Sequence, residues 1–194
     1  KMKFADNDIL SVSNLNRFRA GLPELGLNKA ILSARQVYEI DPFANLELYS
    51  EGITHANMDR FLCEPKADVL IEEMDNLRLK IDIRETARRH RIPVLMVTGN
   101  GSNVIVDIER FDQNQRLPLL SGLLRERFIK KIRAIRPGEG TFRDRIMMAR
   151  DFMGVKYLVP RLRQSFLKVG TELAGIPQLA ESSLLRGAAL TYMV

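Results

Sequence analysis

The chain has 194 residues, 45% of them hydrophobic, and a net charge of +6, which is enough apolar content to bury a core in one domain or in one domain with an appendage. No apolar run approaches the roughly 18 residues that read as a membrane span, and no signal peptide is visible. A single cysteine, Cys63, excludes an internal disulfide framework and points to a reducing compartment, so a cytoplasmic location is expected.

Lys1 is not a translation start, and the natural N-terminus is expected upstream of it. The opening Met2-Lys3-Phe4-Ala5 reads as the end of a strand, followed by the polar stretch Asp6-Asn7-Asp8 and then Ser13-Asn14-Leu15-Asn16-Arg17. An acid at the carboxyl end of a strand is placed to hydrogen-bond a ribose hydroxyl, and the planar fork of an arginine suits phosphate oxygens. A polar loop with an Asx turn and a solvated arginine accounts for the same twelve residues equally well.

From Leu27 to Glu39 the apolar residues Leu27, Ala30, Ile31, Ala34, Val37 and Tyr38 fall at helical spacing, and Pro42 closes the helix. Leu46-Glu47-Leu48-Tyr49 alternates as a strand does, Thr54 to Phe61 predicts a short helix with a threonine cap, and Val69-Leu70-Ile71 predicts a short buried strand. Helical spacing returns from Asn76 to His90, and Val94-Leu95-Met96-Val97 and Val104 to Ile108 predict two more strands. This alternation predicts an α/β fold with a Rossmann-like, mostly parallel sheet flanked by helices. The glycines in Gly99-Asn100-Gly101-Ser102-Asn103 precede a strand rather than a helix, so a hairpin turn is expected there and not a phosphate loop.

The second half predicts mostly helix: Leu117 to Ile135, stopped by Arg136-Pro137-Gly138, then Thr141 to Met153, Arg161 to Leu173, and a closely packing, small-residue helix from Ser182 to Val194. Residues 110–168 carry 15 Lys and Arg against 5 Asp and Glu, leaving 15 against 19 in the remainder. Such a basic stretch suits an anionic partner or a solvated helix face. Its aromatics are not interleaved as in a single-strand-binding platform, so nucleic acid is not the expected partner. Met147, Met148 and Met153 read as gap-filling core. The expected organisation is a partial nucleotide-binding domain over 1–110 and a basic, mostly helical continuation or subdomain over 111–194.

The string DNDILSVSNLNR, residues 6–17, resembles the D-x-D-x-V-x-x-S-N-L-N-R segment of the ThiF/MoeB family of adenylyltransferases, which includes ubiquitin-activating enzymes. Three further stretches resemble that family in the same order: Gly26-Leu27-Asn28-Lys29-Ala30, Glu39-Ile40-Asp41-Pro42, and Ala67 to Arg78, where Arg78 falls one place early. The resemblance covers roughly the first half of the chain and fades beyond Asp107. It implies ribose contact for Asp6, assisted by Asp8, nucleotide or phosphate contact for Ser13, Asn14, Arg17 and Lys29, and a magnesium ligand at Asp75. Read without the resemblance, Asp75 or Asn76 is simply the cap of the following helix. The family's glycine-rich nucleotide loop is expected before Asp6, upstream of Lys1.

Three departures from the family pattern stand out. Phe18 replaces a common Gln, Glu72 replaces a common Asp, and one cysteine with two histidines (His55 and His90) cannot form the zinc knuckles of many members, so no zinc is expected. Cys63 is not where thioester-forming members carry theirs and reads as a small buried hydrophobe.

The resemblance implies that ATP and Mg2+ activate a carboxylate as an acyl-adenylate, catalysed by Arg17, Lys29 and Asp75. A small-protein or peptide C-terminus is the expected substrate, a homodimer the expected assembly, and a membrane is not an expected partner. Two other readings remain open at the level of sequence: a degenerate, non-catalytic module for protein–protein interaction, and a NAD(P)- or FAD-binding oxidoreductase domain. The latter uses Asp6 but leaves Arg17, Lys29 and Asp75 unexplained.

Overall fold

A computed structural model describes residues 1–135 and 141–194. The helix stop expected at Arg136-Pro137-Gly138 lies outside the described residues. The described chain is α/β, with a Rossmann-like, mostly parallel arrangement of strands flanked by seven α-helices. It divides into two compact units, Lys1–Lys66 and Ala67–Val194.

The first unit is a strand–helix–strand crossover. Strand β1 (Met2–Ala5) pairs in parallel with β2 (Leu46–Tyr49), setting Met2 against Leu46 and Ala5 against Tyr49. Helix α1 (Lys29–Ile40) connects them and buries Ala30, Leu32 and Ala34. It starts at Asn28, whose Oδ1 accepts the Ala30 and Ile31 amides at 2.9 and 3.2 Å, satisfying two donors that have no partner within the helix. Pro42 lies just beyond its end and has no N–H with which to extend it. Helix α2 (Met58–Cys63) begins four residues later than the spacing predicts, because Thr54 and Asn57 are taken up in a reciprocal turn ahead of it. Its Phe61 meets Tyr49 edge to face, with ring centroids 5.1 Å apart.

In the second unit, β3 (Leu70–Ile71) runs parallel to β4 (Val94–Gly99), and α3 (Leu77–Arg89) forms the crossover. Strand β5 (Val104–Glu109) returns antiparallel to β4. The turn at residues 99–103 is therefore a hairpin, as expected, closed by the Asn100 amide on the Asn103 carbonyl at 2.7 Å. Gly101 has φ +80°, and a Cβ there would lie 2.4 Å from Val159 Cγ2, so the tip requires glycine on both counts. Ile81, Ile83, Ala87, Val94, Val97 and Phe111 form the buried centre.

The single helix expected over Leu117 to Ile135 is broken. A 3-10 turn spans Leu119–Gly122 with Leu120 and Ser121 in the left-handed region, and α4 runs only over Glu126–Ala134. Two buried carboxylates hold the chain out of helix. Glu109 Oε1 accepts the Leu120 amide at 2.6 Å, and Asp107 accepts the Ser121 hydroxyl. Helices α5 (Phe142–Met153, capped by Thr141) and α7 (Ala180–Met193) follow the pattern read from sequence, whereas α6 (Pro160–Lys168) ends five residues before the expected Leu173, the chain turning at Gly170 with φ +87°. The close packing expected of α7 is confined to its start: a Cβ at Gly99 of β4 would lie 3.0 Å from Ser182 Oγ, whereas a Cβ at Gly187 would meet nothing within 4 Å.

Candidate functional site

In the first unit, the polar loop after β1 is organised by its own side chains. Asp6 accepts the Asp8 amide at 2.8 Å. Asn14 Oδ1 accepts both the amide and the hydroxyl of Ser11 at 3.0 Å, while Ser11 and Ser13 share a hydroxyl hydrogen bond of 2.9 Å. Arg17 donates from Nη1 to the Ser13 carbonyl at 2.7 Å and to Asn16 Oδ1 at 3.0 Å. Lys29, the first residue of α1, holds Asp8 Oδ2 at 2.7 Å. Asp6, Asp8 and Lys29 thus form one cluster, and Ser13, Asn14 and Arg17 a second one farther along the same loop. Asn28, which no motif marked as a site residue, braces the first cluster: its amide donates to the Asp6 carbonyl at 2.8 Å and to the Ser50 carbonyl at 3.1 Å.

Asp75 lies in the second unit. Asn76 caps α3, accepting the Arg78 and Leu79 amides at 3.1 Å each, so helix capping does not explain the acid that precedes it. Asp75 is exposed on the wall of a cleft of about 930 Å3, formed entirely within this unit. The cleft opens at the carboxyl ends of β3 and β4, the edge where open α/β sheets bind ligands. Helices α5, α6 and α7 supply its other walls, including Phe152, Leu162 and Arg186.

The loop carrying Asp75 is fixed by buried charge. Glu72 is 1% exposed; its carboxylate accepts the Met74 amide at 2.7 Å, takes Lys80 Nζ at 2.9 Å on both oxygens, and pairs with Arg84. Arg84, with 0% exposure, also reaches Glu109 Oε2 through Nε at 2.8 Å. The next acid, Glu73, accepts the Val97 amide at 2.7 Å and so anchors the loop to β4. Burial pushes the Glu73 carboxyl above the ordinary carboxylate range and pulls the Lys80 ammonium down, with Glu72 opposing the latter. Burial likewise raises the Asp107 carboxyl, and it raises that of Glu109 to about 7.

Sequence reasoning did not single out Glu73, Lys80, Arg84, Glu109 or Arg186. One signal was available: Lys80 and Arg84 are four apart on the same helix face as Ile81 and Ala87, and cations on an apolar face need buried partners. Cys63 is partly buried, and desolvation raises its thiol, which suits packing better than nucleophilic chemistry.

As for metal, magnesium is bound by one or two carboxylates together with substrate phosphates, and a single exposed acid such as Asp75 fits that demand. Among the described residues, no three acidic, histidine or cysteine side chains group closely enough to hold a metal ion by themselves.

The ThiF family model matches residues 1–115. The chain belongs to the ThiF family. It is 34% identical over 179 residues to the uncharacterized protein MT1398 of Mycobacterium tuberculosis, covering 92% of this ThiF chain and 24% of that protein. It is 31% identical over 101 residues to tRNA threonylcarbamoyladenosine dehydratase 2 of Saccharomyces cerevisiae, covering 51% of this chain and 23% of the relative. A probable molybdopterin-synthase adenylyltransferase of Porphyra purpurea is 29% identical over 77 residues, 39% of this chain and 20% of the relative. The ThiF chain therefore spans about a quarter or less of the length of these relatives. Among solved structures, PaaA shares the fold, with a TM-score of 0.55 and 16% identity over 97% of this chain and 52% of its own.

Proposed function

We propose that this ThiF chain serves an ATP-dependent adenylyltransferase that activates a carboxylate as an acyl-adenylate. The observation that carries the reading is the state of Asp75: exposed on a cleft at the carboxyl ends of β3 and β4, on a loop clamped by Glu72 and Glu73, with helix capping left to Asn76. An acid whose structural duty is done by its neighbour, held on a rigid loop at a ligand-binding edge, suits a ligand role. The similarity to a probable molybdopterin-synthase adenylyltransferase supports the same reaction class.

In this reading a carboxylate oxygen of the substrate attacks the α-phosphorus of ATP, the bond to the β-phosphate oxygen breaks, and pyrophosphate leaves. The attacking group is already ionised at neutral pH, so no general base is required. Asp6, assisted by Asp8, contacts the ribose. Ser13 and Asn14 shape the loop, and Arg17 and Lys29 offset the negative charge of the phosphates. Asp75 would hold magnesium, which would supply neutralisation of phosphate charge. The acyl substrate is the C-terminus of a small protein or peptide or a smaller acid, and the assembly is a homodimer.

Pyrophosphate exchange into ATP, measured on the full-length protein with a panel of carboxylic acids and peptide C-termini, tests the reading. Exchange that depends on both an acid and magnesium, and that falls by about a hundredfold or more in Arg17→Ala, is the expected result, on the scale of losing one charge-stabilising donor. No exchange with any acid, together with unchanged ATP affinity in Asp75→Asn, overturns it.

A further inference from the structure

The cleft of the second unit has features that nucleotide chemistry leaves unaccounted for. Its floor is apolar and adaptable, built from Met74, Met96, Phe152, Met153 and Leu162, and its volume of about 930 Å3 is at the upper end of the range for small-molecule sites. Among its charged groups, Lys80 is matched by Glu72 at 2.9 Å. Arg161 and Arg186 share the wall with Glu73 and Asp75. On a largely apolar wall, the arginines are the groups that can take the head of an acid.

Arg186 is the better placed of the two arginines. Helix α7 seats it against bare Gly99, where a Cβ would come within 3.2 Å of its Cδ and 3.3 Å of its Nε. Its Nη2 donates to Ser183 Oγ at 3.1 Å, and its Nη1 stands 3.9 Å from Glu73, beyond hydrogen-bond range. Its Nε is buried beside Gly99, so a ligand in the cleft meets the terminal nitrogens. A guanidinium that lines a largely apolar cleft, with Nη1 beyond hydrogen-bond range of its nearest acid, matches a carboxylate.

We infer that this cleft binds an apolar carboxylic acid of small-molecule size, its body on the Met96, Phe152 and Leu162 floor and its carboxylate on Arg186. The inference rests on the adenylyltransferase reading for the fate of the acid, and it narrows the substrate class from any carboxylate to an apolar small acid.

Calorimetric titration of the full-length protein with decanoate and 4-phenylbutyrate, without ATP, tests the cleft by itself. At least one acid binds, decanol binds ten or more times more weakly than decanoate, and Arg186→Met removes that preference. Leu162→Trp, which fills the floor, abolishes binding, and unfolding midpoints confirm that both variants fold. Failure of both acids to bind, or equal binding by the wild type and Arg186→Met, overturns the inference. Pyrophosphate exchange separates the two claims. Exchange driven by peptide C-termini with no binding of either acid leaves the adenylyltransferase reading standing and removes this one. Arg186-dependent binding without exchange does the reverse.

Discussion

Asp75 and Asn76 adjoin in sequence and divide two tasks between them. Asn76 accepts two amides at the start of α3, whereas Asp75 projects onto the cleft wall. Loss of the cap in Asn76→Ala lowers stability by about 1 kcal/mol, read from chemical denaturation, while Asp75→Asn changes stability by less than about 0.5 kcal/mol. Equal destabilisation by the two substitutions would show that Asp75 has a structural role. Arg84 poses the opposite case. It has no exposed surface and bridges Glu72 and Glu109, so Arg84→Met leaves two buried carboxylates short of a partner and lowers stability by about 3–5 kcal/mol. The paired change Arg84→Met with Glu109→Gln recovers part of that loss, a coupling that a double-mutant cycle measures.

At the scale of elements, the first strand, helix α1 and the hairpin between β4 and β5 were legible because each is marked locally: a short apolar stretch, apolar residues at helical spacing closed by Pro42, glycines at a tip. The helix expected over Leu117 to Ile135 was not. Its apolar spacing is helical, yet Glu109 and Asp107 capture Leu120 and Ser121 from outside the segment, and no local pattern reports that. Asp107→Asn keeps an acceptor for Ser121, and Glu109→Ala leaves the Leu120 amide without one. Near-ultraviolet circular dichroism and amide exchange are therefore expected to loosen around 119–122 in Glu109→Ala and to change little in Asp107→Asn. The contact of α7 with β4 is equally specific. Gly99→Ala pushes a methyl to 3.0 Å from Ser182 Oγ and lowers stability by about 1–3 kcal/mol, read from thermal unfolding.

For the molecule as a whole, the buried cluster sets a pH dependence. Lys80 and Arg84 pair with Glu72 and Glu109, and burial leaves Glu109 titrating near 7 against an ordinary value of 4.5. The folded protein thus holds a proton that the unfolded chain has released between those values. The stability that this proton confers is complete below about pH 4.5 and is lost as pH rises to about 7, roughly 3 kcal/mol at about 1.4 kcal/mol per unit. Denaturation midpoints across that window are expected to fall in the wild type and to fall less in Glu109→Gln. The sequence by itself determined the α/β alternation, the loop from Asp6 to Arg17 and its ThiF character, because strands, caps and turn chemistry act over a few residues. Tertiary structure alone decided which charges are buried together, as Arg84 and Glu109 are 25 residues apart. It also decided that Glu73, Phe152 and Arg186 share one cleft with Asp75. Such groups come together only through packing of the sheet and its helices, which depends on contacts distant in the chain and leaves no periodic mark in any one segment.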